Sequence, residues 1–289
     1  MDAMKRIERA LTTALARTEH PGGPSLLAAA LQHAVFPRGA RVRPRLCLAV
    51  ARACGEDDPA ITDAAAAAIE LLHCASLVHD DLPCFDDAAT RRGRPSVHYA
   101  FGQPLAVLAG DALIVLAFQT LARGAARSPA RLASLMTVVA ESVGMPFGIV
   151  AGQAWESEPA ADLETYQRAK TGELFAAATL AGAAAAGVAS EPWRLVGEKL
   201  GEAYQVADDL LDATSGAEDA GKPIGQDRAL GRPNAALQLG VAGAIRRLEE
   251  LAAAAAAAIP PCPGACDLRA VMHSEARRLV PKELSQHAA

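Results

Sequence analysis

Apolar positions along this chain fall into helical runs separated by short breaks rich in proline and glycine. Ala3 to Arg17 is an amphipathic segment that stops before His20-Pro-Gly-Gly-Pro. Pro24 and Ser25 open a second run through Ala34, halted at Phe36-Pro-Arg-Gly, and a third covers Pro44 to Cys54. Thr62-Asp63 reads as the N-cap of a helix running through Asp80. Further runs are Leu105 to Arg123, Ser128-Pro to about Val143, Leu163 to Val188, Pro192 to about Leu211, Asn234 to Ala258 and Asp267 to Leu279. No stretch sustains the two-residue alternation of a strand, and heptads are not maintained, so the pattern predicts a globular helical bundle and not a coiled coil.

Composition supports this reading. Hydrophobic residues make up 51% of the 289 positions and aromatics only 4%, and alanine dominates, which favours helix over strand. No shift in composition marks a linker, so residues 1–289 are expected to form a single all-α domain. A chain this apolar is not disordered, and its net charge of −5 argues against a nucleic-acid partner. Cys47, Cys54, Cys74, Cys84, Cys262 and Cys266 are scattered without metal spacing and read as reduced core fillers. The N-terminus, Met1-Asp-Ala-Met-Lys-Arg, is charged and shows no signal segment. The apolar stretches Leu174 to Ala189 and Leu251 to Ile259 are alanine-rich and fall short of the ~20 strongly apolar residues of a membrane span. The expectation is a soluble, cytoplasmic protein with no stable membrane insertion.

The candidate chemistry lies in two acidic clusters. The first is His79-Asp80-Asp81-Leu-Pro-Cys-Phe-Asp86-Asp87, followed by Arg91-Arg92-Gly93. Pro83 blocks a regular continuation of the preceding helix, and the break could bring Asp86 back beside Asp80. The second is Tyr204-Gln205-Val-Ala-Asp208-Asp209-Leu-Leu-Asp212, in which Asp208 and Asp212 are one turn apart on one face. Several carboxylates on apolar helices need a cationic partner. All-oxygen ligands suit a hard cation such as magnesium, which joins carboxylates to substrate phosphates. Either cluster alone could instead cap a helix end in water. Arg91-Arg92, Lys170-Thr171, Lys222 and the Arg38-Gly-Ala-Arg41-Val-Arg43-Pro44 turn supply cations in an otherwise acidic chain. Singly, each is an ordinary solubilising charge; together with the aspartates they indicate a polyanion such as a diphosphate. No GxxxxGK[ST] loop is present, which speaks against nucleotide phosphoryl transfer.

These motifs resemble those of the trans-prenyltransferases, the polyprenyl diphosphate synthases. Asp80-Asp-Leu-Pro-Cys-Phe-Asp86 with Arg91-Arg-Gly is similar to the first aspartate-rich motif of that family and Tyr204-Gln-Val-Ala-Asp208-Asp-Leu-Leu-Asp212 to the second. Lys222 matches the lysine that follows, and Gly152-Gln153 and Lys170-Thr171-Gly172 match two further signatures. The likeness runs from about Leu27 to beyond Gly231 and is nearest to bacterial geranylgeranyl diphosphate synthases of carotenoid and bacteriochlorophyll pathways.

The resemblance implies an isoprenoid synthase-like bundle around a deep central cavity, a homodimer, and three magnesium ions. Asp80, Asp86 and Asp208 would hold the metals against an allylic diphosphate, with Asp81 and Asp212 in support. Arg91, Lys170 and Lys222 would clamp that diphosphate, with Thr171, Gln205 and Arg232 nearby, and Arg43, His73 and Arg92 would hold isopentenyl diphosphate. The implied reaction is departure of the allylic diphosphate, alkylation of the isopentenyl double bond and loss of a proton, with stabilisation of the leaving diphosphate at its centre.

Two positions depart from the family pattern. Ala40 stands where a lysine is expected, with Arg38 or Arg41 as possible substitutes, and Gly231-Arg232-Pro233-Asn234-Ala235 replaces Gly-Lys-x-Thr-Tyr-Pro. Small residues at Ala75 and Ser76 would let a fifteen-carbon chain pass, with Leu72 or a residue of the Leu105 to Leu116 helix stopping growth, so a twenty-carbon product is expected. Those residues could equally be small for close helix packing. A farnesyl diphosphate synthase differs only in cavity depth. A terpene cyclase would lack the second cluster, and a non-catalytic regulatory subunit would have lost one cluster.

Overall fold

The computed structural model describes residues 2–36, 39–159, 166, 168–214 and 234–279. They form an all-α bundle with one two-residue hairpin. Its helices are α1 (Ala3–Ala16), α2 (Ser25–Val35), α3 (Val42–Ala53), α4 (Pro59–Asp80), α5 (Val97–Phe101), α6 (Gln103–Gly124), α7 (Pro129–Val143), α8 (Ile149–Ala154), α9 (Glu173–Ala185), α10 (Arg194–Thr214), α11 (Ala235–Ala257) and α12 (Ala265–Leu279). A 3₁₀ turn, Trp155–Ser157, follows α8, and a π turn, Arg168–Gly172, leads into α9.

Helix α4 is the central element. Asp58 caps it by accepting from Ala60 N at 3.1 Å, with Pro59 in the first turn. The cap therefore falls one turn before the expected Thr62-Asp63. Asp63 instead accepts from Arg6 and Arg9 of α1, at 2.6 and 3.1 Å. The run Ala64 to Leu72 is buried on every face, and α6, α3, α9 and α1 pack around it. Small side chains permit this: an all-round apolar helix must be enclosed, and alanine allows close helix approach without loss of helix propensity.

By length and composition, α4 and α6 could cross a membrane. Most of α4 is enclosed by the bundle, whereas α6 leaves Val107, Leu108 and Val115 exposed. All six cysteines are free. Cys47 and Cys74 are buried as expected, and burial pushes the Cys74 thiol up to about 12. Cys84 and Cys266 are surface residues and not core fillers.

The hairpin was not foreseen. Thr90–Arg91 pairs with Arg94–Pro95, and the two residues between them, Arg92 and Gly93, have φ of 54° and 74°. Two consecutive positive φ values define a turn matched to strand twist, for which glycine at the second position is favoured. This turn sets the directions of the two adjacent arginines.

Candidate active site

The first acidic cluster closes on itself where α4 ends. The chain turns after Asp81, and Asp86 N donates to Asp80 O at 3.0 Å while Asp87 N donates to Leu82 O at 3.1 Å. The break at Pro83 thus returns Asp86 to Asp80, as the sequence suggested. Oxygen atoms of Asp80, Asp86 and Glu156 lie within 4.8 Å of one another. Three hard carboxylate donors in one small volume suit a divalent cation. The Lys170 ammonium enters from the π turn and donates to Asp80 Oδ1 at 3.1 Å and Glu156 Oε1 at 2.5 Å. Burial alone would lower the Lys170 pKa, but Asp80, Tyr166 and Glu156 outweigh it and hold the ammonium above its usual value.

Asp81 faces the other way. It is buried and accepts from Arg91 Nε at 2.9 Å and from Arg91 Nη2. Burial raises its pKa, and Arg91 only partly opposes that shift. Asp81 is thereby committed to aiming Arg91.

Beside this cluster lies a cavity of about 320 Å³, lined among others by Arg43, His73, Arg91, Arg92, Thr171, Tyr204, Gln205 and Asp208. Arg43 lies over the Phe175 ring at 4.5 Å and the Tyr204 ring at 5.6 Å, and its Nη1 is 3.5 Å from His73 Nε2. Its Nε is buried without a partner in the protein. Loss of water, followed by Arg43, Arg92 and Arg91, holds His73 well below its normal pKa, so the imidazole is neutral at pH 7.

From the second cluster, Asp208 reaches this cavity, whereas Asp209 is turned into the fold. Asp209 accepts from Gln205 Nε2 at 3.0 Å and Ala235 N at 2.8 Å, and Gln205 Oε1 accepts from Thr171 Oγ1 at 3.3 Å. Asn234, one of the departures from the family pattern, caps α11 by accepting from Ala236 N and Leu237 N. The Asp212 side chain, Lys222, Arg232 and Arg38 lie outside the described residues.

Arg41 does not replace the missing lysine at Ala40. Its guanidinium is fully buried, donating to Glu70 Oε1 at 2.6 Å, Glu8 Oε1 at 3.1 Å and Val35 O at 2.9 Å. Its backbone takes the left-handed conformation, φ 51°, and although the residue borders the cavity its guanidinium is engaged by Glu70, Glu8 and Val35. Ala75 and Leu72 are buried on α4, while Ser76 is partly exposed with its Oγ donating to His73 O at 2.9 Å.

Glu156 is the site residue that sequence reasoning missed. Its signal was present: Gln153 and Glu156 are spaced i, i+3, and Gln153 Nε2 donates to Glu156 Oε2 at 2.8 Å. Gly152 brings them to the site, since a Cβ there would lie 2.5 Å from the Lys170 backbone nitrogen.

The family model described as Polyprenyl synthetase matches residues 24–257. A geranylgeranyl diphosphate synthase from Cereibacter sphaeroides is 55% identical, over 97% of this chain and 98% of its own length. Another of that description from Rhodobacter capsulatus is 52% identical, over 97% of each. A crystal structure of a geranyltransferase from Helicobacter pylori, complexed with magnesium and isoprenyl diphosphate, superposes with a TM-score of 0.80 at 28% identity, covering 96% of each chain. The chain belongs to the polyprenyl synthetase family and is a prenyltransferase of the all-helical isoprenoid synthase fold.

Proposed function

We propose that the protein is a magnesium-dependent geranylgeranyl diphosphate synthase, joining isopentenyl diphosphate head-to-tail to an allylic diphosphate. The observation that carries this reading is the carboxylate cluster Asp80–Asp86–Glu156 with Lys170, set beside a cavity rich in arginine. Two adjoining sites of this kind suit two diphosphates, one bound through metal and one bound directly. In this reading Asp80, Asp86 and Asp208 hold up to three magnesium ions, which supply charge neutralisation for the leaving diphosphate.

Arg91, aimed by Asp81, and Lys170 bind the allylic diphosphate, with Lys222 and Arg232 expected to join them. Arg43, His73 and Arg92 bind isopentenyl diphosphate, while Thr171 and Gln205, hydrogen-bonded to each other on the cavity wall, lie near the allylic diphosphate. When the allylic C–O bond breaks, its electron pair leaves with the diphosphate. The isopentenyl double bond then forms the new C–C bond, and a proton passes to the released diphosphate. The exposed apolar residues Val107, Leu108 and Val115 of α6 suit the interface of a homodimer. The whole chain is read as one catalytic domain acting in the cytoplasm and feeding carotenoid synthesis.

The test is incubation of purified protein with magnesium, labelled isopentenyl diphosphate and, separately, allylic diphosphates of five, ten and fifteen carbons, followed by sizing of the products. A twenty-carbon product is expected. A product that stops at fifteen carbons overturns the assigned chain length, and no product with magnesium present overturns the catalytic reading. Ala75→Tyr is expected to shorten the product to fifteen carbons; continued synthesis of twenty carbons alone removes Ala75 from the product wall.

A further inference from the structure

Glu156 holds more than its share of the site's hydrogen bonds. Its Oε1 accepts from Lys170 Nζ at 2.5 Å and from the Tyr166 hydroxyl at 2.6 Å, while Oε2 accepts from Gln153 at 2.8 Å. Lys170 also donates to Asp80 at 3.1 Å, and its ammonium lies 5.7 Å from the Tyr166 ring centroid. One ammonium is thus shared by two carboxylates.

An ammonium has three N–H donors, and two of those on Lys170 are already directed at acids. One N–H is left for a diphosphate, and moving the ammonium fully onto that ligand means giving up charge-assisted hydrogen bonds, which are about twice as strong as neutral ones. Glu156 is built to release it. Tyr166 and Gln153 are neutral donors that remain on the Glu156 carboxylate when the ammonium leaves, so its oxygens keep hydrogen-bond donors. The spacing is set by packing, because Gly152 admits α8 against the backbone of Lys170.

We propose that Glu156 is a positioning residue that parks the Lys170 ammonium beside Asp80 in the substrate-free enzyme and competes with the incoming diphosphate for it, with Tyr166 and Gln153 stabilising the carboxylate after the handover. This rests on the reading of Lys170 as a ligand of the allylic diphosphate.

The test uses the full chain and inorganic diphosphate, with binding measured by calorimetry in magnesium, with isopentenyl diphosphate at saturation so that the directly bound site is filled, and with no allylic diphosphate so that turnover does not contribute. Glu156→Gln is expected to tighten diphosphate binding about five- to ten-fold, the effect of one charge-assisted hydrogen bond partly screened by solvent. In a Lys170→Met background the same substitution should change affinity less than two-fold. Glu156→Asp, which keeps the charge, should return affinity to within about two-fold of the unmodified chain. No tightening in Glu156→Gln overturns the proposal. So does tightening that persists undiminished with Lys170→Met, since a general field effect would then explain it. If Lys170→Met itself leaves diphosphate binding unchanged, the assignment of Lys170 falls and the proposal falls with it; if only the Glu156→Gln effect is missing, the proposal alone falls.

Discussion

His73 illustrates how neighbouring charge defines a residue. Removal from water and the field of Arg43, Arg92 and Arg91 keep its imidazole neutral in the folded protein, whereas the unfolded chain protonates it near pH 6.5. The unfolded state therefore binds more protons below about pH 6.5, and stability is lost as pH falls through that point. One such group contributes a slope of at most about 1.4 kcal/mol per pH unit. His73→Gln is expected to flatten the dependence of stability on pH between 6.5 and 5, measured by urea denaturation across that range. An unchanged slope would show that the imidazole is not excluded from protonation. Arg41 makes the complementary point. As a letter beside Ala40 it could replace a lysine, yet its buried guanidinium is already paired with Glu8 and Glu70. No spacing rule reports that reversal, because it depends on where α1 and α4 place their acids.

Among the elements, α8 and the π turn are joined more tightly than their lengths suggest. A Cβ at Gly152 would meet the Lys170 backbone at 2.5 to 2.7 Å, and backbone atoms cannot yield as a flexible side chain can. Gly152→Ala should push the two elements apart and displace both Glu156 and Lys170. The expected outcome is a kcat lower by roughly ten- to hundred-fold, the scale of an ångström-sized misplacement, with a melting temperature lower by a few degrees. Steady-state kinetics and circular dichroism melts check the two effects separately, and an unaltered kcat would show that this contact does not position Lys170. The hairpin works by similar means: Arg92-Gly93 forms its turn with two positive φ values, so the arginine pair is directed by backbone conformation. Only two residues are paired on each strand, too few for an alternating pattern, which is why the sequence read as wholly helical.

For the molecule as a whole, α6 is the least enclosed of the long apolar helices, with Val115 55% exposed and Leu108 50% exposed. Apolar groups grouped on one helix face favour burial against a partner. Val115→Glu should convert a dimer to a monomer in sedimentation velocity; a monomeric parent protein would refute the homodimer, and a dimeric variant would move the interface off this face. The sequence by itself determined the helical class, because alanine-rich runs broken by proline and glycine have few other outcomes. It also determined the two aspartate clusters and the break at Pro83 that folds Asp86 onto Asp80, since these are local consequences of helix geometry. Tertiary structure alone decided the role of each acid. Asp80 joins Asp86 and Glu156 while its neighbour Asp81 is buried against Arg91, and Asp208 lines the arginine cavity while Asp209 anchors α11. Adjacent carboxylates are chemically identical in the chain. Their roles separate only when packing supplies a buried arginine or backbone donor to one and leaves the other to the carboxylate cluster or the cavity wall.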